Sequence, residues 1–114
     1  MQNKTILALT YIRQIVFSLP GTAEKIVFGT QAFYINKHIF ARLHEDEENL
    51  VIHTLEREKW IEKDHETFFI TEHYQNYKYM LINLDRVDPE DLSELLLQAW
   101  INRAPKKLVT EYKH

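Results

Sequence analysis

Cysteine is absent from the 114 residues, and glycine is confined to Gly21 and Gly29. Without a thiol there is no disulfide framework, no thiolate metal site and no cysteine nucleophile, and a reducing cytoplasm is the expected compartment. Two isolated glycines exclude a GxGxxG dinucleotide turn and a phosphate-cradling P-loop, because each needs several residues without Cβ at fixed spacing. Serine is scarce too. Ser18 and Ser93 both fall in segments of helical periodicity and neither lies in a nucleophile-elbow sequence, which argues against serine-type catalysis. No apolar run approaches the ~20 residues of a membrane span, and Met1-Gln2-Asn3-Lys4 leads into an amphipathic pattern, so no membrane partner is expected. What remains, 45% hydrophobic and 27% charged residues with a formal net charge of −3, describes one globular domain spanning 1–114.

The apolar periodicity changes along the chain. Ala8, Leu9, Ile12, Ile15, Val16 and Leu19 recur at helical spacing, and Leu19-Pro20-Gly21 ends that helix. Between Glu24 and Thr54, short β-branched and aromatic runs at 25–28, 31–35, 39–44 and 49–53 are separated by Gly29-Thr30, Asn36-Lys37-His38 and Glu45-Asp46-Glu47-Glu48, the pattern of an antiparallel meander. Alternation within 39–44 predicts Ile39, Ala41 and Leu43 on the core face, with Phe40, Arg42 and His44 on the other. Thr54 is expected to cap a short helix over 55–64, anchored by Trp60 and Ile61. Two further strands follow at 68–71 and 79–84. Asp88-Pro89-Glu90-Asp91 opens a helix with Leu92, Leu95, Leu96, Ala99 and Trp100 on its buried stripe, and Pro105 divides it from a last helix over 106–112. The predicted order, α-β-β-β-β-α-β-β-α-α, is an α+β domain: an antiparallel sheet flanked by helices on one side.

Few residues suggest chemistry. The six histidines, His38, His44, His53, His65, His73 and His114, contain no HExxH and no pair on one helix face, so no metal site is assigned. The block Glu45–Glu48 is too short and glycine-free for a calcium loop and reads as a solvated hairpin tip. No carboxylate pair stands out for acid–base work, and the expectation is a non-enzymatic protein with no cofactor and no catalytic residues.

Charge is segregated. Residues 1–43 carry a net +4, 44–72 a net −7, 73–100 a net −3 and 101–114 a net +3. If the hairpin around Lys37 meets the last helix, Lys37, Arg42, Arg103, Lys106, Lys107 and Lys113 form a phosphate-facing patch with Tyr34 or Tyr112 interleaved, which nominates DNA as a partner. The competing expectation is a protein-interaction or small-ligand module. It would use either the acidic segment, Glu45–Glu48 with Glu56–Glu66, or an aromatic loop of His73, Tyr74, Tyr77 and Tyr79, whose rings offer stacking surface and polar tips.

Several stretches, in order, carry a family resemblance: Leu19-Pro20-Gly21, Phe28-Gly29-Thr30-Gln31-Ala32-Phe33, Ile39-Phe40-Ala41-Arg42-Leu43-His44-Glu45-Asp46, Phe68-Phe69-Ile70-Thr71, His73-Tyr74, Ala99-Trp100 and Ala104-Pro105-Lys106-Lys107-Leu108-Val109. Together they resemble the MmcQ/YjbR family of small bacterial proteins. The chain departs from that pattern at Tyr79, where the family has a tryptophan, and at Lys78, where proline is common. The resemblance implies a frataxin-like (CyaY-like) α+β fold and a DNA-binding label drawn from a paired-wing appearance; it brings no catalytic residues. Under that label Arg42, Lys106 and Lys107 hold basic positions, and Lys37 sits at a wing-like hairpin tip. Iron binding, which the frataxin-like topology would suggest, needs acids on the first helix, and none occurs between Thr5 and Ser18.

Overall fold

The computed structural model describes residues 1–113; His114, one of the six histidines, lies outside the described residues. Helix α1 (Asn3–Val16) buries Thr5, Leu9, Ile12 and Val16, one stripe at three- and four-residue spacing. The chain leaves it through Gly21 at φ +75°, where an added Cβ would lie 2.9 Å from Ile35 Cδ1 and 3.1 Å from Leu108 Cδ1. Glycine is needed there on both counts, conformation and space.

Four strands follow as the expected meander: β1 (Thr22–Val27), β2 (Thr30–Ile35), β3 (His38–Leu43) and β4 (Asn49–His53). Helix α2 (Arg57–Lys63) and the two-residue β5 (Phe68–Phe69) come next, then a 3-10 turn at Glu72–Tyr74, β6 (Tyr79–Asn83), α3 (Pro89–Arg103) and α4 (Lys106–Lys113). The sheet order is β1-β2-β3-β4-β6-β5, every pair antiparallel. The α+β class and element order match the sequence expectation.

The core lies between one sheet face and the helices. Phe33, Ala41, Ile52 and Met80 form one row of register partners, and Leu43, Leu50, Ile82 and Phe68 another. Against them pack Leu9, Ile12 and Val16 of α1, Trp60 of α2, and Leu92, Leu95, Leu96, Ala99 and Trp100 of α3. Trp100 is wholly buried, and its Nε1 donates to the Pro20 carbonyl at 3.1 Å, tying α3 to the turn after α1.

Two local expectations are corrected. Strict alternation fails in β3, where Phe33 pairs with Ala41 but Tyr34 pairs with Ile39, leaving Phe40 as the extra residue of a bulge. Phe40 therefore joins Ala41 in the core, and Ile39 faces outward beside Tyr34. Thr54 does not cap α2, whose N-cap is Glu56. Its hydroxyl instead accepts from the Glu56 N–H at 3.1 Å, shaping the turn before the helix. Asp88 does stand at the N-cap of α3, but its side chain makes no capping bond; Pro89 at the first turn sets the entry.

Candidate functional site

The second sheet face is organised around Arg42. Lys25, Ala32, Arg42, Val51, Leu81 and Phe69 are successive register partners from β1 to β5. In the middle of that row Ala32, Val51 and Leu81 are buried, and Arg42 is only 8% exposed. The bulge at Phe40 restores the register that places Arg42 here, away from the core.

Burial of a cation demands partners. Arg42 Nη1 forms an ion pair with the Glu45 carboxylate, and Nη2 donates to the Tyr74 hydroxyl at 3.0 Å. Burial opposes the guanidinium charge, but the bonds to Glu45 and Tyr74 outweigh it and raise the Arg42 pKa; the same pair holds the Glu45 carboxyl below its ordinary value. Arg42, one of the DNA-contact candidates, thus stands apart from the exposed lysines, its guanidinium engaged by Glu45 and Tyr74. It anchors the aromatic loop.

That loop divides in three. His73 and Tyr74, rings edge-on at 4.6 Å, border a cavity of about 500 Å³ with Phe28, Arg42, His44, Glu45 and Thr71. Tyr77 points outward and is largely exposed. Tyr79 turns inward, donating its hydroxyl to the Ile39 carbonyl at 2.9 Å and packing edge-on against His53 at 5.3 Å. Burial, with help from the charges of Arg103 and Lys78, depresses the His53 pKa to about 4, and its Nδ1 has no partner among the described residues.

Arg57 escaped sequence analysis. Its Nη1 donates to the carbonyls of Tyr74 and Tyr77 at 2.9 and 2.7 Å, and Nη2 to that of Gln75 at 2.6 Å. The signal that could have found it is electrostatic: a base at the first position of a helix opposes the helix dipole and needs another reason to be there.

The remaining DNA-contact candidates converge at one end of the sheet. Lys37 is at the tip between β2 and β3, and the next residue, His38, places Nδ1 3.0 Å from Arg103 Nη2 at the end of α3. Extended backbone at Ala104 ahead of Pro105 stops α3 there, and Lys106 and Lys107 begin α4. Packing of Gly21 against both Ile35 and Leu108 closes the same junction. Lys37, Lys106 and Lys107 are exposed, with no acidic partner within 4 Å among the described residues. Both α4 lysines occupy a first turn that holds no acid, where the helix dipole adds to their positive potential. The proposed aromatic partners are engaged elsewhere: Lys25 Nζ sits 4.9 Å over the Tyr34 ring, and Tyr112 packs on Trp100 at 5.3 Å.

The acidic tip 44–48 lies at the opposite end of β3 from Lys37. Asp46 organises it, accepting from the backbone N–H groups of Glu48 and Asn49 at 2.8 and 3.0 Å, with its own N–H directed at His44 Nδ1 at 3.3 Å. Among the described residues no three His, Asp or Glu side chains are grouped to hold a metal ion.

A family model described as YjbR matches residues 17–101. The chain belongs to the YjbR family. Among curated relatives, uncharacterised proteins of Mycobacterium bovis and Mycobacterium tuberculosis are 38% identical to it over 45 residues, 40% of this chain and 35% of each relative's length. The match thus spans about a third of those proteins. In structure the YjbR chain is similar to the Deinococcus radiodurans protein DR2400, which carries a DUF419 domain: TM-score 0.72, 21% identity, 87% of this chain and 80% of that one. The family match takes in Lys37, Arg42 and the whole aromatic loop; Arg103 and the lysines of α4 lie beyond it.

Proposed function

We propose that this YjbR domain is a non-enzymatic DNA-binding protein that grips the phosphate backbone with its basic end, through Lys37, Arg103, Lys106 and Lys107. One observation supports the reading: the 3.0 Å contact of Arg103 with His38, which ties the end of α3 to the residue after Lys37. Four of the acids behind the net charge of −3 sit on the tip at the far end of β3. A polarised molecule presents its positive end to a polyanion. Backbone contact without base-reading side chains implies weak sequence preference. A cysteine-free chain working on DNA fits the reducing bacterial cytoplasm.

The test is fluorescence anisotropy of labelled duplex and single-stranded DNA at about 50 and about 200 mM salt. Four neutralised phosphates give a log–log salt slope near −3.6 on duplex DNA. Absence of binding at the lower salt concentration rejects the reading.

A further inference from the structure

The cavity beside Arg42 holds two features that neither folding nor the basic end accounts for. The first is Phe28. It occupies the β1–β2 turn with Gly29 at φ +52°, a left-handed conformation that bulky side chains avoid, and the residue is 80% exposed. Asparagine or glycine would make the same two-residue turn without strain and without an apolar ring in water. The ring stands at the lip of the cavity, 5.6 Å from the Arg42 guanidinium. The second is the Arg42–Glu45 pair. Arg42 is buried and fixed by Tyr74, whereas the Glu45 side chain is 54% exposed on a hairpin tip. Glu45 is the exchangeable member: it can swing into solvent and leave a preorganised guanidinium facing the cavity. The hydrogen bonds of Arg42 to protein use Nη1 and Nη2, and departure of Glu45 opens Nη1 to another carboxylate while Tyr74 keeps Nη2 in place.

We propose that this cavity binds a small planar aromatic carboxylate, its ring between Phe28 and the His73–Tyr74 pair and its carboxylate on Arg42 in place of Glu45. The cavity of about 500 Å³ is within the range of small-molecule sites, and its aromatic walls with one fixed cation match the composition of such sites. A single guanidinium balances a monoanion, and Glu45 already shows that a carboxylate fits on it. Glu45 then acts as a built-in competitor that closes the empty site.

Isothermal titration of the full chain with 2-naphthoate, 2-naphthamide and acetate tests this, with 15N spectra following the Arg42 side chain. The expected result is saturable naphthoate binding, with the neutral amide and the ringless acetate about tenfold weaker or more. Phe28→Asn, which suits the turn and keeps the fold, weakens naphthoate about fivefold or more, while Glu45→Gln strengthens it about threefold by removing the competitor. No saturable response up to about 10 mM naphthoate overturns the proposal. So do equal binding of the amide, indifference to Phe28→Asn, or loss of binding on Lys106→Glu with Lys107→Glu, which would move the carboxylate to the basic end. None of these outcomes depends on whether the protein binds DNA.

Discussion

Arg57 Nη2 donates to the carbonyl of Gln75 at 2.6 Å, so the first residue of α2 holds a loop 18 positions along the chain. With Nη1 on the Tyr74 and Tyr77 carbonyls, one guanidinium satisfies backbone acceptors that no strand or helix serves. Arg57→Ala should cost about 2 kcal/mol in urea unfolding, because several charge-assisted bonds are lost together. Amide exchange should accelerate selectively across 72–79. Arg57→Lys should not restore protection, since an ammonium cannot spread its donors across three carbonyls as a planar fork does. Unchanged exchange in both variants would show that the loop is held by its own packing.

Lys106→Glu combined with Lys107→Glu should abolish DNA binding in the anisotropy assay. Both side chains are exposed, so stability should change by no more than about 0.5 kcal/mol, with two acids in the first turn of α4 favouring the helix if anything. Binding that survives the double substitution would remove α4 from the contact surface.

Trp100→Ala should destabilise the fold by about 3–5 kcal/mol, since the ring is fully enclosed and its removal leaves a large cavity. Trp100→Phe keeps most of the volume but strands the Pro20 carbonyl and should cost less. Equal losses for the two would place the whole effect in the hydrogen bond.

His53 predicts a pH dependence with a definite sign. Its folded pKa is depressed to about 4 while the unfolded chain titrates at 6.5, so between those values the unfolded state binds more protons. Stability is complete above pH 6.5 and falls as pH drops toward 4, by about 3 kcal/mol at most. Glu45, Asp46 and Asp64, all with lowered pKa values, add losses of the same direction at more acid pH. His53→Phe retains ring packing against Tyr79 and should flatten the profile between pH 6.5 and 4. An unchanged slope would assign that window to other groups.

Phe28→Asn should raise stability by about 1 kcal/mol, because asparagine tolerates the left-handed conformation and removes an exposed ring. The gain is read from thermal unfolding. A loss would mean that contact between the ring and Arg42 outweighs the strain.

Element types and their order were legible because each is a local property. The helical stripe of Leu9, Ile12 and Val16, the Leu-rich stripe of α3 and the break at Pro105 all lie where periodicity and proline sterics put them. The bulge was not legible. Phe40 is as good a strand residue on one face as on the other, and only pairing with β2 shows that it adds a residue and turns inward. Thr54 failed as a cap for a similar reason: the motif for a cap and for a turn two residues long is the same until the chain direction is known.

The same division runs through the candidate sites. Composition and spacing by themselves determined a cysteine-free α+β fold, without the glycine loops of nucleotide folds and with cations concentrated toward the two ends of the chain. That is possible because propensity, periodicity and charge are written residue by residue. Only the tertiary structure decided what the cations do. Arg42 and Arg103 look alike in sequence, yet register across β2, β3 and β4 buries the first beside Tyr74 and Glu45, while the stop at Ala104 sets the second against His38 next to Lys106 and Lys107. Whether a charge is free for a partner depends on which groups long-range packing places within about 4 Å of it, and burial and Coulomb energy act over space and not along the chain.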